Sequence, residues 1–250
     1  MNIDERKLNS IFLFLKSSKE FSNFERIFYY KFLFCSCDNK TERFNRLVYS
    51  VFNSSSQQNL EHFLSSYSIL FKSWNESSGS LLKLIGVNEH VEDPYNKLFM
   101  YLKSLKGWGD KISALFVKHI IKIHNEPNLA KYKIFNENFK ISSNGNDKVY
   151  LPVDAVIIYI FSLIDISQKK IIPNFEKINR FLQKKYSCED LIIWDELWYW
   201  GFIGTKGPRN SRKLEWNRPK YFSLEGVSKV DKDIKLIKSK TEEFIDLIVK

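Results

Sequence analysis

The chain has 250 residues, 44% of them hydrophobic and 16% aromatic, which excludes global disorder because so apolar a chain buries enough surface to offset its ordering entropy. Lys and Arg outnumber Asp and Glu by 39 to 29, and the net charge of +10 favours a polyanionic partner such as nucleic acid or an acidic membrane surface. A Lys- and Asn-rich composition fits AT-rich coding equally well, so charge alone does not choose a partner.

Residues 4–34 read as helical, with Ile11, Phe12 and Leu15, then Phe24, Ile27 and Phe28, at three- and four-residue spacing. A polar, Ser-rich break covers 53–58. An amphipathic helix over 60–74 carries Leu60, Phe63, Leu64, Tyr67, Phe71 and Trp74. A loop at 76–80 and a short apolar segment at 81–85 follow. Asp93 and Pro94 start another helix, with Pro at its favoured first position. It carries Leu98, Phe99 and Leu102 and stops at Lys106-Gly107-Trp108-Gly109. The next helix runs from Asp110 to about His124, with Ile112, Phe116, Ile120 and Ile123 on one face, and Pro127 ends it.

Residues 128–150 break this pattern. Asn144-Gly145 is a turn signal, so a small β-hairpin or an irregular insertion is expected there. Pro152 and Asp154 introduce a nearly all-apolar helix over 155–166, which should be central and buried. An amphipathic helix over 173–186, an aromatic-rich helix over 189–202, a Gly/Pro/Arg-rich loop over 201–220 and a helix over 232–250 complete the reading. The fold class is all-α with one small β excursion.

The segment Leu105-Lys-Gly107-Trp-Gly109-Asp-Lys111 joins two amphipathic helices through a Gly-x-Gly turn. Glycines let the backbone turn sharply and approach a ligand. The helix start that follows offers free amides and a positive dipole end, suited to a DNA phosphate. An ordinary αα-hairpin with glycine at its C-cap has the same pattern. What separates the two is context. Leu105, Gly107, Gly109 and Lys111 together resemble the hairpin of the helix-hairpin-helix DNA glycosylase superfamily. Leu151-Pro152-Val153-Asp154 resembles the Pro-Val-Asp of its 8-oxoguanine DNA glycosylase branch, in the archaeal-type or compact bacterial form. The resemblance covers about 94–166.

That resemblance implies a two-lobed helix-hairpin-helix glycosylase fold. Residues 1–80 and 188–250 would form one lobe, and 81–187 the other. It implies Lys111 as the amine nucleophile and Asp154 as the carboxylate that stabilises charge building on the sugar. The enzyme would be bifunctional, excising a flipped base through a Schiff base and then cleaving the strand by β-elimination. The leading substrate is 8-oxoguanine. Taken singly, Lys111 also fits a solvated first-turn residue and Asp154 a helix N-cap. Three features depart from the family: a longer interval from Lys111 to Asp154, Val156 where many relatives carry His, and no N-terminal β domain.

Gly107, Trp108 and Gly109 are the expected phosphate-binding turn. Lys206, Arg209 and Arg212, in the basic loop, are further DNA-binding candidates. Trp198 and Trp200 are candidates for the wall of a base pocket, although aromatics at this spacing commonly fill a core. No role falls to the four histidines. The partner is double-stranded DNA containing a damaged or modified base, and a monomer is expected. Neither cofactor nor metal is expected, because Cys35, Cys37 and Cys188 are few and lack a Cys/His cluster. The apolar run at 155–166 is too short to span a bilayer, so a cytoplasmic, nucleoid-associated prokaryotic protein is expected. Two alternatives stay open: a non-catalytic helix-hairpin-helix DNA-binding protein, and a glycosylase acting on modified phage DNA in defence.

Overall fold

The computed structural model describes residues 1–54, 60–87, 92–137, 148–167, 173–224 and 227–250, with the side chains of 22–26 set aside. Among these residues the fold is mostly helical, with a single two-stranded ladder. The chain divides into two compact units. The first comprises 1–29, 153–186 and 190–250, and the second 30–152 with 187–189.

The one helix expected over 4–34 is two: α1 (Glu5–Ser17) and α2 (Lys19–Leu33). The Asp4 side chain caps α1 by accepting from the amides of Arg6 and Lys7. At the other end the Ser18 amide closes on the Phe14 carbonyl. α1 buries Leu8, Ile11, Phe14 and Leu15 on one stripe. α2 runs through the division between the units at 29–30.

In the second unit, α3 (Lys40–Asn53) buries Phe44, Leu47, Val48, Val51 and Phe52. α4 (Leu60–Ser77) stacks Trp74 on Phe44, with centroids 4.2 Å apart and rings at 12°. The Trp74 indole N–H donates to Thr41 Oγ1 at 3.1 Å. A short α5 (Leu81–Leu84) leads to α6 (Pro94–Ser104) and α7 (Asp110–Asn125), the two arms of the hairpin. α7 also packs on α3, where Phe116 meets Phe44 edge-on. A 3₁₀ turn at Pro127–Tyr132 follows α7. Asn144 and Gly145 of the expected insertion lie outside the described residues.

In the first unit, α8 (Ala155–Ile164) packs against α11 (Glu196–Ile203) and α13 (Asp231–Val249). Ile157, Ile160 and Phe161 of α8 are fully buried. The close approach of α8 and α11 depends on Gly201, since a Cβ there would lie 2.6 Å from both Ile160 Cδ1 and Val156 Cγ1. α9 (Phe175–Lys185) is capped by Asn174. The aromatic helix expected over 189–202 is broken at Asp195 into α10 (Cys188–Trp194) and α11.

The loop expected over 201–220 is more ordered than its composition suggests. β1 (Thr205–Lys206) pairs antiparallel with β2 (Lys213–Leu214) across a 3₁₀ turn at Arg209–Ser211. Gly207, at φ +85°, makes the turn, and a Cβ there would meet the Ser211 carbonyl at 2.8 Å. α12 (Arg218–Phe222) follows, capped by Asn217.

The unit boundaries differ from the lobe boundaries expected from the sequence, chiefly at two places and also at 188–189, which cluster with the second unit. Residues 30–80 cluster with the hairpin, because α3 packs on α4 and α7. Residues 153–186 cluster with the first and last segments, because α8 packs on α11 and α13.

Candidate active site

The hairpin turn occupies 105–109. Gly107 sits at φ +86°, a conformation that side chains disfavour, and its Cα faces His62, whose Cβ would lie 3.0 Å from an added Cβ. Gly109 is the N-cap of α7 and provides no side-chain cap. Among the described residues no N-cap side chain bonds the first-turn amides of α7, which carry the positive end of a 16-residue helix. Asp110 beside them pairs with Lys103 at 2.6 Å.

Trp108 was a candidate for phosphate contact. Its side chain is instead core: it is 2% exposed and meets Phe116 edge-on. Its amide is engaged as well, donating to the Leu105 carbonyl at 3.1 Å. Lys111 stands in the first turn of α7, and its Nζ donates to the Ser54 carbonyl at 3.0 Å in an exposed setting. That bond is open to water and easily exchanged, so the amine is tethered without being enclosed.

Asp154 belongs to the first unit and Lys111 to the second. Asp154 caps α8 as its residue type predicts: Oδ1 accepts from the amides of Val156 at 2.8 Å and Ile157 at 3.0 Å. Its other oxygen does more than cap. Oδ2 accepts the indole N–H of Trp198 at 3.0 Å. Capping and a functional carboxylate are therefore compatible in one residue. Three fixed donors hold the group, and none of them is a cation.

The two pocket candidates separate. Trp198 is half-buried and stacks on Phe202, with centroids 5.0 Å apart and rings at 11°. Trp200 has no exposure at all; it packs on Phe14, Phe21 and Tyr199. Trp200 is a core residue and is withdrawn as a wall residue, since alternate positions on α11 face opposite ways.

The basic loop divides in the same manner. Lys206 forms an ion pair with Glu215, which neutralises it locally. Arg209 is exposed. Arg212 is half-buried, with its guanidinium 5.9 Å from the Tyr159 ring.

Lys220, in α12, is a residue that sequence reasoning missed. Its Nζ donates to the Thr205 carbonyl at 2.9 Å and to Thr205 Oγ1 at 3.1 Å, and it lies 5.0 Å from the Phe202 ring. Burial pushes its pKa down from the ordinary lysine value, Arg212 adds to that, and Asp154 opposes it. The run Asn217-Arg-Pro-Lys carried the signal, an N-cap type followed by Pro in a first turn. Among the described residues no group of three or more His, Cys, Asp or Glu is placed to hold a metal. No helix among them is long and apolar enough to cross a membrane. Comparison with protein-family models, with curated proteins and with solved structures finds no match.

Proposed function

We propose that the chain is a bifunctional DNA glycosylase and abasic-site lyase, with Lys111 as nucleophile and Asp154 as its assisting carboxylate. The observation that carries the reading is at the hairpin: a left-handed glycine turn, an N-terminus of α7 without a side-chain cap, and a lysine in that first turn. A backbone phosphate fits such a helix start, and the Lys111 amine belongs to that same first turn. Asp154, held by two amides and an indole, is a fixed negative charge suited to an oxocarbenium-like sugar.

In the reaction, the N-glycosidic bond breaks and the base leaves with a proton. The Lys111 amine bonds to C1′, and opening of the sugar ring gives an imine. Loss of a C2′ proton then expels the 3′ phosphate, which cleaves the strand. Asp154 stabilises the sugar cation and moves the proton between amine and ring oxygen.

Borohydride trapping tests this on duplexes bearing 8-oxoguanine, uracil, a phage-type modified base or an abasic site. A covalent adduct with at least one, lost in Lys111→Ala, is the expected result, and the base that gives it identifies the substrate. Salt-sensitive binding without any adduct would overturn the enzyme reading in favour of a DNA-binding module.

A further inference from the structure

Four elements of the first unit meet at one corner. α8 contributes Tyr159 and its N-cap Asp154, α11 contributes Trp198 and Phe202, β2 is preceded by Arg212, and α12 contributes Lys220. Contacts link these side chains in two groups, which the charges of Arg212 and Lys220 couple. Asp154 accepts from Trp198, Trp198 stacks on Phe202, and Phe202 lies under the Lys220 ammonium. Arg212 acts electrostatically on Lys220 and lies over Tyr159, one turn beyond Asp154 on α8.

We propose that Arg212 and Lys220 together bind a nucleotide phosphate, with the Trp198–Phe202 pair beside it as the stacking surface for the attached base. The occupant is a phosphodiester of a nucleic acid strand. This rests on the DNA reading above for the identity of the strand, but not for the chemistry of the site.

Three observations carry it. The first is Arg212 itself: Nε and Nη1 are buried and have no hydrogen-bond partner among the described residues. A guanidinium loses much of its hydration there without regaining it from protein acceptors, and a phosphate oxygen restores that balance.

The second is charge. The Arg212 charge disfavours the Lys220 ammonium, and the carboxylate acting on Lys220 is Asp154. Both oxygens of Asp154 already accept from other donors. Lys220 thus has a like charge in Arg212 and an already occupied carboxylate as its counter-charge, and an anion removes the deficit. The nearby Glu215 is paired to Lys206.

The third is rigidity. Asn217 is buried; its Nδ2 donates to the Thr205 carbonyl at 2.9 Å, its Oδ1 caps the Lys220 amide at 3.2 Å, and its own amide donates to the Ile203 carbonyl at 2.7 Å. Thr205 Oγ1 donates to the Gly201 carbonyl at 2.8 Å and accepts from Lys220. This ties α12 to the end of α11 and sets the ammonium at a fixed height over Phe202. Such preorganisation makes a binding site out of two lysine- and arginine-type groups that would otherwise be loose surface charges.

The test uses the full chain in two arms. In the first, affinity for a duplex containing an abasic-site analogue is measured against salt for the wild type, Arg212→Gln, Lys220→Met and Lys220→Arg. Lys235→Gln, an exposed residue of α13, is the control. Arg212→Gln and Lys220→Met should each weaken binding about tenfold and reduce the salt slope by about 1, while Lys220→Arg and Lys235→Gln stay near wild type. Wild-type affinity and slope in both Arg212→Gln and Lys220→Met would overturn the site, whether or not trapping at Lys111 succeeds.

The second arm decides the matter should the wild type not hold the duplex. Thymidine 3′,5′-bisphosphate is titrated while the Arg212 Nε–H resonance is followed, with thymidine as the phosphate-free comparison. A saturable shift with the bisphosphate alone, absent in Lys220→Met, supports the site; no shift overturns it.

Discussion

The indole N–H of Trp198 donates to the Asp154 oxygen that the helix cap leaves over, at 3.0 Å. One residue, itself extended, thereby begins α8 and presents an oriented carboxylate toward α11. Trp198→Phe removes the donor and keeps an aromatic ring for Phe202 to stack on. A hydrogen bond to a charged group is worth about 1.5–3 kcal/mol, so the imine-forming rate should fall roughly tenfold or more while the melting temperature changes by only a few degrees. Single-turnover trapping and a thermal melt on the same preparation check both halves.

Asp154→Asn and Asp154→Ala should separate capping from chemistry. Asn keeps an oxygen for the Val156 and Ile157 amides, but turns an NH₂ toward the Trp198 N–H. It also removes the charge. We expect a rate loss of about 10²-fold or more from Asn, in line with the usual share of a general acid–base group, with most of the stability retained. Ala additionally loses the cap, at about 0.5–2 kcal/mol. Equal rates for Asn and wild type would show that Asp154 does no more than start α8.

Gly201→Ala should destabilise the first unit. The new methyl would meet Ile160 Cδ1 and Val156 Cγ1, both at 2.6 Å, where α11 lies on α8. Overpacking of this kind costs about 1–3 kcal/mol. Chemical denaturation should show the midpoint falling with little change in slope.

His124 gives the protein an acid-sensitive joint in the second unit. Burial pushes its pKa down from 6.5 to about 4, helped by Lys133. Its Nε2 accepts from the amides of Ile134 and Phe135, each at 3.3 Å, a role open only to the neutral ring. Between about pH 6.5 and 4 the unfolded chain takes up a proton that the folded chain refuses. The contribution is therefore full above pH 6.5 and is lost as pH falls toward 4. At about 1.4 kcal/mol per pH unit, the loss is at most roughly 3 kcal/mol. His124→Gln, which keeps an acceptor, should flatten the stability–pH curve over that interval; an unchanged curve would assign the acid sensitivity elsewhere.

Much of the helical frame was legible because its signals are local. Apolar spacing and Asp93-Pro94 marked α6, and Pro152 with Asp154 marked the start of α8 within a residue. α3 went unread although the same kind of signal marks it, Asn39 capping the Glu42 amide ahead of Phe44, Leu47, Val48 and Val51. What local pattern does not carry is which aromatics face outward. Trp198 and Trp200 are two residues apart on one helix, yet one holds a carboxylate and the other fills a core. Only the packing of α8 against α11, permitted by Gly201, decides between them. Likewise Lys220 gains its setting from Thr205 and Asn217, residues brought beside it by the β1–β2 ladder and α12. Lys111 and Asp154 as a pair rest on resemblance rather than on spacing, and trapping is the measurement that bears on them.

The packing of α1 against α13 has a consequence for synthesis. A ribosome adding about 5–20 residues per second finishes α1 on the order of ten seconds or more before α13 leaves the tunnel. During that interval the stripe of Leu8, Ile11, Phe14 and Leu15 is without one of its native coverings. The second unit, almost contiguous in the chain, has no such wait. Nascent chains stalled before α13 should accordingly recruit holdase chaperones at α1 while the hairpin block already resists protease.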